Sequence, residues 1–339
     1  MLSFKLAYKN LLGAGLRTWL NVIVLSFSFF TIIWFKGLLD GWDRQAKRDM
    51  IEWEIGGGQY WQENYDPYDP FTLTDSHEKL DGKLRQLVES NQATPLLLTQ
   101  GSVYPEGRIQ SAVLKGIDPK QQILQLPSAR LDTTVDAIPA IIGSQMAKNN
   151  KLKEGDYLMI RWRDINGTFD ATEVLIVEVF KTNVPAVDVG QVWLPLEKLR
   201  GMMMMENEAT MVVTEKDYQN HLTQQGWEFK DLPFLLSDID EIIKAKSGGS
   251  SVFYMILLLL AMLAIFDTQV MSVFRRQKEI GTYIAMGMTR RQVVGLFTME
   301  GAMHAVLALI VAAVYGVPVL YLQAKQGMAL PVSSSDYGL

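Results

Sequence analysis

The 339-residue chain contains no cysteine, which excludes disulfides, thiol catalysis and cysteine-ligated metals. The compartment stays open, because a domain of about 200 residues can fold on its hydrophobic core alone. Histidine is nearly as scarce. His77, His221 and His304 are the only three, too few and too scattered to argue a metal centre or a Ser–His–Asp arrangement. Neither a G-x-x-x-x-G-K-[ST] phosphate loop nor a G-x-G-x-x-G turn occurs, so the chain has no recognisable nucleotide-binding motif of its own. Basic charge is also short, with 32 Lys+Arg against 37 Asp+Glu. A nucleic-acid binder with a global basic field is thereby excluded.

What is present is unevenly spread. Residues 41–250 carry 22 Lys+Arg and 32 Asp+Glu, a balance of −10, while the rest of the chain has a balance of +5. An acidic, soluble-looking middle is therefore flanked by apolar segments whose few charges are mostly basic. Thr18 to Phe35 is an uncharged run of 18 residues. A second apolar stretch runs from Ser247 past Asp267 to Arg275, and a third from Gln292 to Ala324 with Glu300 as its only carboxylate. Each is long enough to cross a hydrocarbon core, which takes roughly 20 helical residues. Lys5, Lys9 and Arg17 precede the first stretch, and Arg275, Arg276, Lys278, Arg290 and Arg291 lie between the second and third. By the positive-inside rule both clusters face the cytoplasm and the acidic middle lies outside. The long basic lead and the lack of a small-x-small cleavage site make the first stretch a retained anchor.

The expected organisation is an amphipathic N-terminal elbow helix at 1–18, a first span at 19–40 and a mixed α+β extracytoplasmic domain at 41–250. A second span at 251–274, a cytoplasmic helix at 275–291, a third span at 292–323 and an external tail at 324–339 complete it. Within the middle block, IIGSQMAKNNKLKEGDYLMIRW reads as helix, turn and strand, EVLIVEVF (Glu173 to Phe180) as a strand, and QVWLPLEKL as a strand entering a helix. Residues 57–76 read as loop. The run Met202–Met205 suits a packed or membrane-near loop better than a soft-metal site, since adjacent residues on a regular element cannot all face one ion. Tyr60, Trp61, Tyr65 and Tyr68 read as packing within the domain.

The hairpin VFRRQKEIGTYIAMGMTRRQVVGLFTMEG, residues 273–301, is the most informative stretch. Ile280, Tyr283 and Ile284 fall on one side of a short helix at i, i+3, i+4. Gly287 is placed to end that helix. Thr289 is placed to cap the next one, with Gln292 as its capping-box partner. A small charged helix hung between two spans is suited to dock on a soluble partner. In the third span Glu300 and His304 lie four apart on one face, where a hydrogen bond between them is expected, and Asp267 is expected to pair across the bundle.

Arg275, Arg276, Lys278, Glu279, Ile280, Gly281, Ala285, Met286, Gly287 and Met288, followed by Glu300 and Gly301, resemble the signature of FtsX/MacB-type (type VII) ABC transporter permeases. That signature is R-x-x-E-I-G-x-x-x-A-x-G, then E-G in the next span, with Arg276 at its leading Arg and Gly287 at its last Gly. LAYKNLLGAGLRTWL resembles the family's opening. KGIDP at 115–119, IIGSQMAKNNKLKEGD at 141–156 and VWLPLEKL at 192–199 resemble the periplasmic part of the lipoprotein-releasing (Lol-type) branch.

The resemblance implies a multi-pass permease subunit in a bacterial inner membrane, with its large domain periplasmic. It would pair with a second permease chain, identical or homologous, around a cytoplasmic ABC ATPase dimer. ATP and Mg would be bound by that ATPase, leaving this chain without cofactor or enzymatic activity. Arg275, Arg276, Lys278, Glu279, Ile280, Gly281, Ala285 and Gly287 would couple the ATPase to the spans. Membrane lipids would surround those spans. The client would be a lipoprotein or another periplasmic or outer-leaflet amphiphile. FtsX-like regulation of a periplasmic hydrolase and MacB-like efflux are the alternatives. The family has a fourth span, and its absence before Leu339 gives the expectation of a truncated sequence.

Overall fold

The computed structural model describes residues 16–133, 136–218 and 222–326. The elbow helix expected at 1–18 and the tail expected at 324–339 fall outside these, apart from their innermost three residues, which are helical. Contacts divide the chain into two compact units, one built from residues up to Asp43 together with Glu241–Pro331, the other from Arg44–Asp240.

The first unit holds three long helices: α1 (Leu16–Met50), α5 (Ser237–Arg275) and α7 (Arg290–Gln326). Each is long and apolar enough to cross a membrane. Helices α1 and α5 run well beyond the expected spans, to Met50 and back to Ser237, whereas α7 exceeds its own by only two or three residues at each end; the boundary between the two units falls inside α1 and inside α5. Val22, Leu25, Ala261 and Ala308 form their small buried core. On α7 the buried positions Gly301, His304, Ala308, Ala312 and Gly316 recur every three or four residues. These mostly small residues let helices approach closely; a Cβ on Gly316 would sit 2.8 Å from the Phe30 ring. Much of the remaining apolar surface, such as Leu259, Leu263, Phe266, Ile310 and Val314, is exposed.

The second unit is mixed α+β. Its strands are β1 (Gln59–Gln62), β2 (Glu78–Lys79), β3 (Ala93–Val103), β4 (Gln110–Ile117), β5 (Ile138–Gly143), β6 (Tyr157–Arg163), β7 (Phe169–Phe180), β8 (Gln191–Pro195), β9 (Glu208–Ala209), β10 (Met211–Thr214) and β11 (Trp227–Lys230). Helices α2 (Gly82–Glu89), α3 (Ser144–Asn150) and α4 (Leu196–Met203) join them. Nine strands form one sheet in the order β11-β1-β10-β3-β4-β8-β5-β7-β6, with β4–β8 and β5–β7 parallel. The end strand β6 also pairs with β3 through Gly101↔Trp162 to Val103↔Ile160. Strands β3, β4, β8, β5, β7 and β6 thus close a six-stranded ring, and β10, β1 and β11 extend from β3.

The ring follows from side chains that alternate across each strand. Leu97, Leu114, Ile142, Val192 and Leu194 fill its interior with Leu158, Ile160, Trp162 and Ile176. Their neighbours Leu96, Leu98, Ile117, Ile141 and Trp193 point to the outer face, into a second core with Phe180, Met211 and Val213. There a π-helical turn at Ile51–Ile55, directly following α1, stacks Trp53 on Phe180 with ring centroids 5.7 Å apart.

The helix–turn–strand, strand and strand–helix readings of 141–162, 173–180 and 191–199 agree with α3–β6, β7 and β8–α4, residues 141–143 being the end of β5. The loop reading of 57–76 is corrected: residues 59–62 form β1, inside the sheet between β10 and β11. Its sequence, Gln-Tyr-Trp-Gln, lacks the β-branched signal. The preceding glycines also serve packing, since a Cβ on Gly57 would lie 1.9 Å from the Glu215 carbonyl oxygen. The methionine run divides between core and solvent. Met203 and Met205 are buried, whereas Met204 is exposed in the left-handed region. Tyr60, Trp61 and Tyr65 pack within the domain, as expected, while the exposed Tyr68 donates its hydroxyl proton to Asp238.

Candidate functional site

Between α5 and α7 lies α6 (Gln277–Ala285). Helix α5 stops at Arg275 because Arg276 leaves helical geometry (φ −104°, ψ 21°), and α6 begins at the next residue. At the other end Gly287 takes φ 96°, a conformation open mainly to glycine. The Gly287 N–H donates to the Ile284 carbonyl at 3.0 Å and the Met288 N–H to the Tyr283 carbonyl at 3.1 Å. Together they make a Schellman stop that satisfies two terminal carbonyls. The Thr289 N–H then donates to Gln292 Oε1 at 2.8 Å, and the Gln292 N–H to Thr289 Oγ1 at 3.4 Å. This capping box starts α7. Stop and start signals therefore stand back to back, and both are where the sequence places them.

Arg276 organises the site. Its Nε donates to Glu279 Oε2 at 2.7 Å, and one terminal guanidinium nitrogen donates to Glu300 Oε2 at 3.1 Å. The guanidinium carbon lies 5.6 Å from the centroid of the Phe297 ring. One planar cation thus joins the first turn of α6 to the early turns of α7 through two charge-assisted hydrogen bonds. The Glu300 residue is only 4% exposed, so the neutralising cation matters.

The expected bond between the Glu300 carboxylate and His304 is corrected. His304 Nδ1 meets the Glu300 backbone carbonyl at 2.8 Å, as one turn of helix dictates, while the carboxylate reaches back to Arg276. His304 Nε2 has no partner among the described residues. The expected pairing of Asp267 is corrected too. Asp267 is exposed and has no ion pair among the described residues; Gln269, two residues on, is the α5 side chain that lies against Gly301 of α7.

On α6, Ile280 and Tyr283 are half-buried, but Ile284 is exposed, so the expected apolar face is narrower by one residue. Arg275, Lys278, Gly281, Ala285, Ile284 and Met286 all face outward. A Cβ on Gly281 would meet nothing within 4 Å. The outer surface of α6 therefore combines positive charge, two exposed apolar side chains and a flat spot at Gly281. That surface is suited to seating in a groove. Sequence reasoning found each of these residues but missed the link from Arg276 to Glu300. The signal was a carboxylate near the start of an otherwise uncharged run, 24 residues after an arginine. Among the described residues no group of three or more His, Cys, Asp or Glu side chains is arranged to hold a metal ion.

Two of the solved structures that resemble the chain are extracytoplasmic domains. The periplasmic region of MacB from Actinobacillus actinomycetemcomitans aligns over 55% of this chain and 94% of its own length, at 12% identity and a TM-score of 0.36. The extracellular domain of the noncanonic ABC-type transporter YknZ from Gram-positive bacteria aligns over 51% and 99%, at 10% identity and a TM-score of 0.31. No curated protein matches the sequence. Residues 251–337, which contain α6 with its flanking stop and start signals, match the FtsX-like permease C-terminal family, and the chain carries an FtsX-like permease domain there.

Proposed function

We propose that this chain is the permease subunit of an ABC transporter of the FtsX/MacB type, with α6 as the lever on which a separate cytoplasmic ATPase dimer acts. The observation that carries the reading is the exposed face of α6 within the FtsX-like match, tied by Arg276 to Glu279 and Glu300. A helix clamped in this way passes displacement to α7 and, through the backbone at Arg275, to α5. Because α1 and α5 continue into the β-domain, movement of these helices is delivered there. The proposed setting is the bacterial inner membrane, with the domain periplasmic and a second permease chain alongside. The ATPase would bind ATP and Mg, and this chain would perform no catalysis.

For the client, a lipoprotein or another amphiphile handled from the outer leaflet is proposed. Support comes from the Lol-like segments 115–119, 141–156 and 192–199, which form the end of β4, β5–α3 and β8–α4 of the domain. Site-specific crosslinking from Lys278 and Ile284 tests the ATPase reading. A nucleotide-hydrolysing subunit captured at both positions is the expected result; capture only of lipids or of extracytoplasmic proteins rejects it. Client identity is tested by inactivating that ATPase and following lipoprotein delivery, which should fail.

A further inference from the structure

The outer face of the sheet carries one side chain at odds with its surroundings. Lys115 sits on β4 between residues that bury apolar side chains, opposite Leu98 on β3 and Trp193 on β8. It is 6% exposed. Burial pulls its ammonium below the ordinary lysine range, and Glu54 opposes that pull. A buried cation is tolerated when its protons are well bonded. Here the nearest carboxylate, Glu54, stands 3.8 Å away, and the ammonium lies 5.0 Å from the centroid of the Trp193 ring. The Trp193 indole N–H is itself buried without a partner among the described residues.

Both groups line a cavity of about 550 Å³ in the domain, within the range of roughly 300–1,000 Å³ typical of small-molecule sites. Leu96 and Met211 continue its floor, and Trp61, Tyr65 and Phe234 form an aromatic wall. The wall is preassembled, with Trp61 edge-on to Tyr65 at 5.1 Å and to Phe234 at 5.9 Å. Burial, and then the charges of Glu54 and Asp66, push the Tyr65 phenol above its usual range, so it remains a neutral wall element. Lys115 and the Trp193 N–H stand at the buried end, Glu54, Asp66 and Asp238 also line the cavity, and Lys230 lies 5.7 Å and 4.7 Å from the Trp61 and Phe234 rings, with Phe234 itself 50% exposed. Lys230, also lining the cavity, is paired with Glu228 at 2.6 Å, which leaves Lys115 as the cation whose nearest partner is distant.

We propose that this cavity binds a single-headed anionic amphiphile, its carboxylate or phosphate head on Lys115 and its apolar chain along Trp61, Tyr65 and Phe234. The inference concerns the domain alone and does not depend on an ATPase partner. An anion at Lys115 supplies a charge-assisted acceptor that Glu54 meets only at long range, and the chain removes aromatic surface from water.

The test uses the full chain in phosphatidylcholine nanodiscs and a palmitic acid analogue bearing a chain diazirine, with crosslinked peptides mapped by mass spectrometry. Labelling is expected on the peptides containing Trp61, Tyr65 and Phe234, displaced by palmitate but not by palmityl alcohol or inorganic phosphate. Lys115→Met should lower cavity labelling about tenfold, the loss of one hydrogen bond to a charged group. Ala186→Trp blocks the rim from an exposed position while leaving Lys115 in place, so it decides the matter should the first variant fold poorly. Labelling confined to the long apolar helices, labelling unchanged in Ala186→Trp, or displacement by inorganic phosphate overturns the proposal.

Discussion

Removing the Arg276 guanidinium strands the Glu300 carboxylate, whose side chain is 5% exposed, beside the Phe297 ring with its cation gone. Breaking a buried pair from one side costs about 3–5 kcal/mol, far more than a surface ion pair contributes. Arg276→Ala is therefore expected to lower the thermal midpoint of the purified chain by several degrees. Adding Glu300→Gln should recover most of the loss, because a neutral amide needs no counter-charge. If the double variant is as unstable as the single one, Arg276 acts chiefly through packing on Phe297. By contrast the Arg276–Glu279 contact is half-solvated on the Glu279 side, at 56% exposure. Its loss should be felt in coupling more than in folding.

At the scale of elements, α6 presents an outer face that is exposed among the described residues. Gly281 separates self-packing from docking, since a Cβ there meets open space. Gly281→Ala is expected to leave the fold intact and to add up to about 1 kcal/mol of helix propensity. Gly281→Trp should insert into the membrane normally yet abolish ATPase co-purification. Undiminished co-purification by the Trp variant would remove α6 from the interface. The ends of this helix are legible in sequence because their chemistry is local: Gly287 permits a positive φ, and Thr289 and Gln292 lie three residues apart. What was illegible is non-local. Arg276 meets Glu300 only after the chain reverses, Lys115 looks like any strand lysine until β8 brings Trp193 beside it, and β1 is hidden because Gln-Tyr-Trp-Gln has no β-branched residue. The three apolar stretches were readable as spans, yet their helical continuation to Met50 and back to Ser237 was not. Those extensions are polar and mostly exposed, so hydropathy gives no sign of them.

For the whole molecule, the chain's lack of cysteine turns topology into a direct measurement. A single cysteine at Thr282 on α6 and another at Asp170 on β7, both at exposed positions, should differ in reactivity. In intact cells a membrane-impermeant maleimide is expected to label the Asp170 variant alone; after permeabilisation both should label. Labelling of the Thr282 variant from outside would invert the topology and with it the ATPase reading.

The ring of six strands has a mechanical corollary. A flat sheet can be peeled from its borders, but a hoop has none, and in the nine-stranded sheet, among the described residues, the free margin is the four-residue β11. Backbone amides of β4, β8 and β5 should therefore exchange with deuterium together, in one global event, whichever stem is tugged. The stems at Met50 and Ser237 lead into β1 and β11, in the open extension, so unzipping under force should begin there and leave the ring whole.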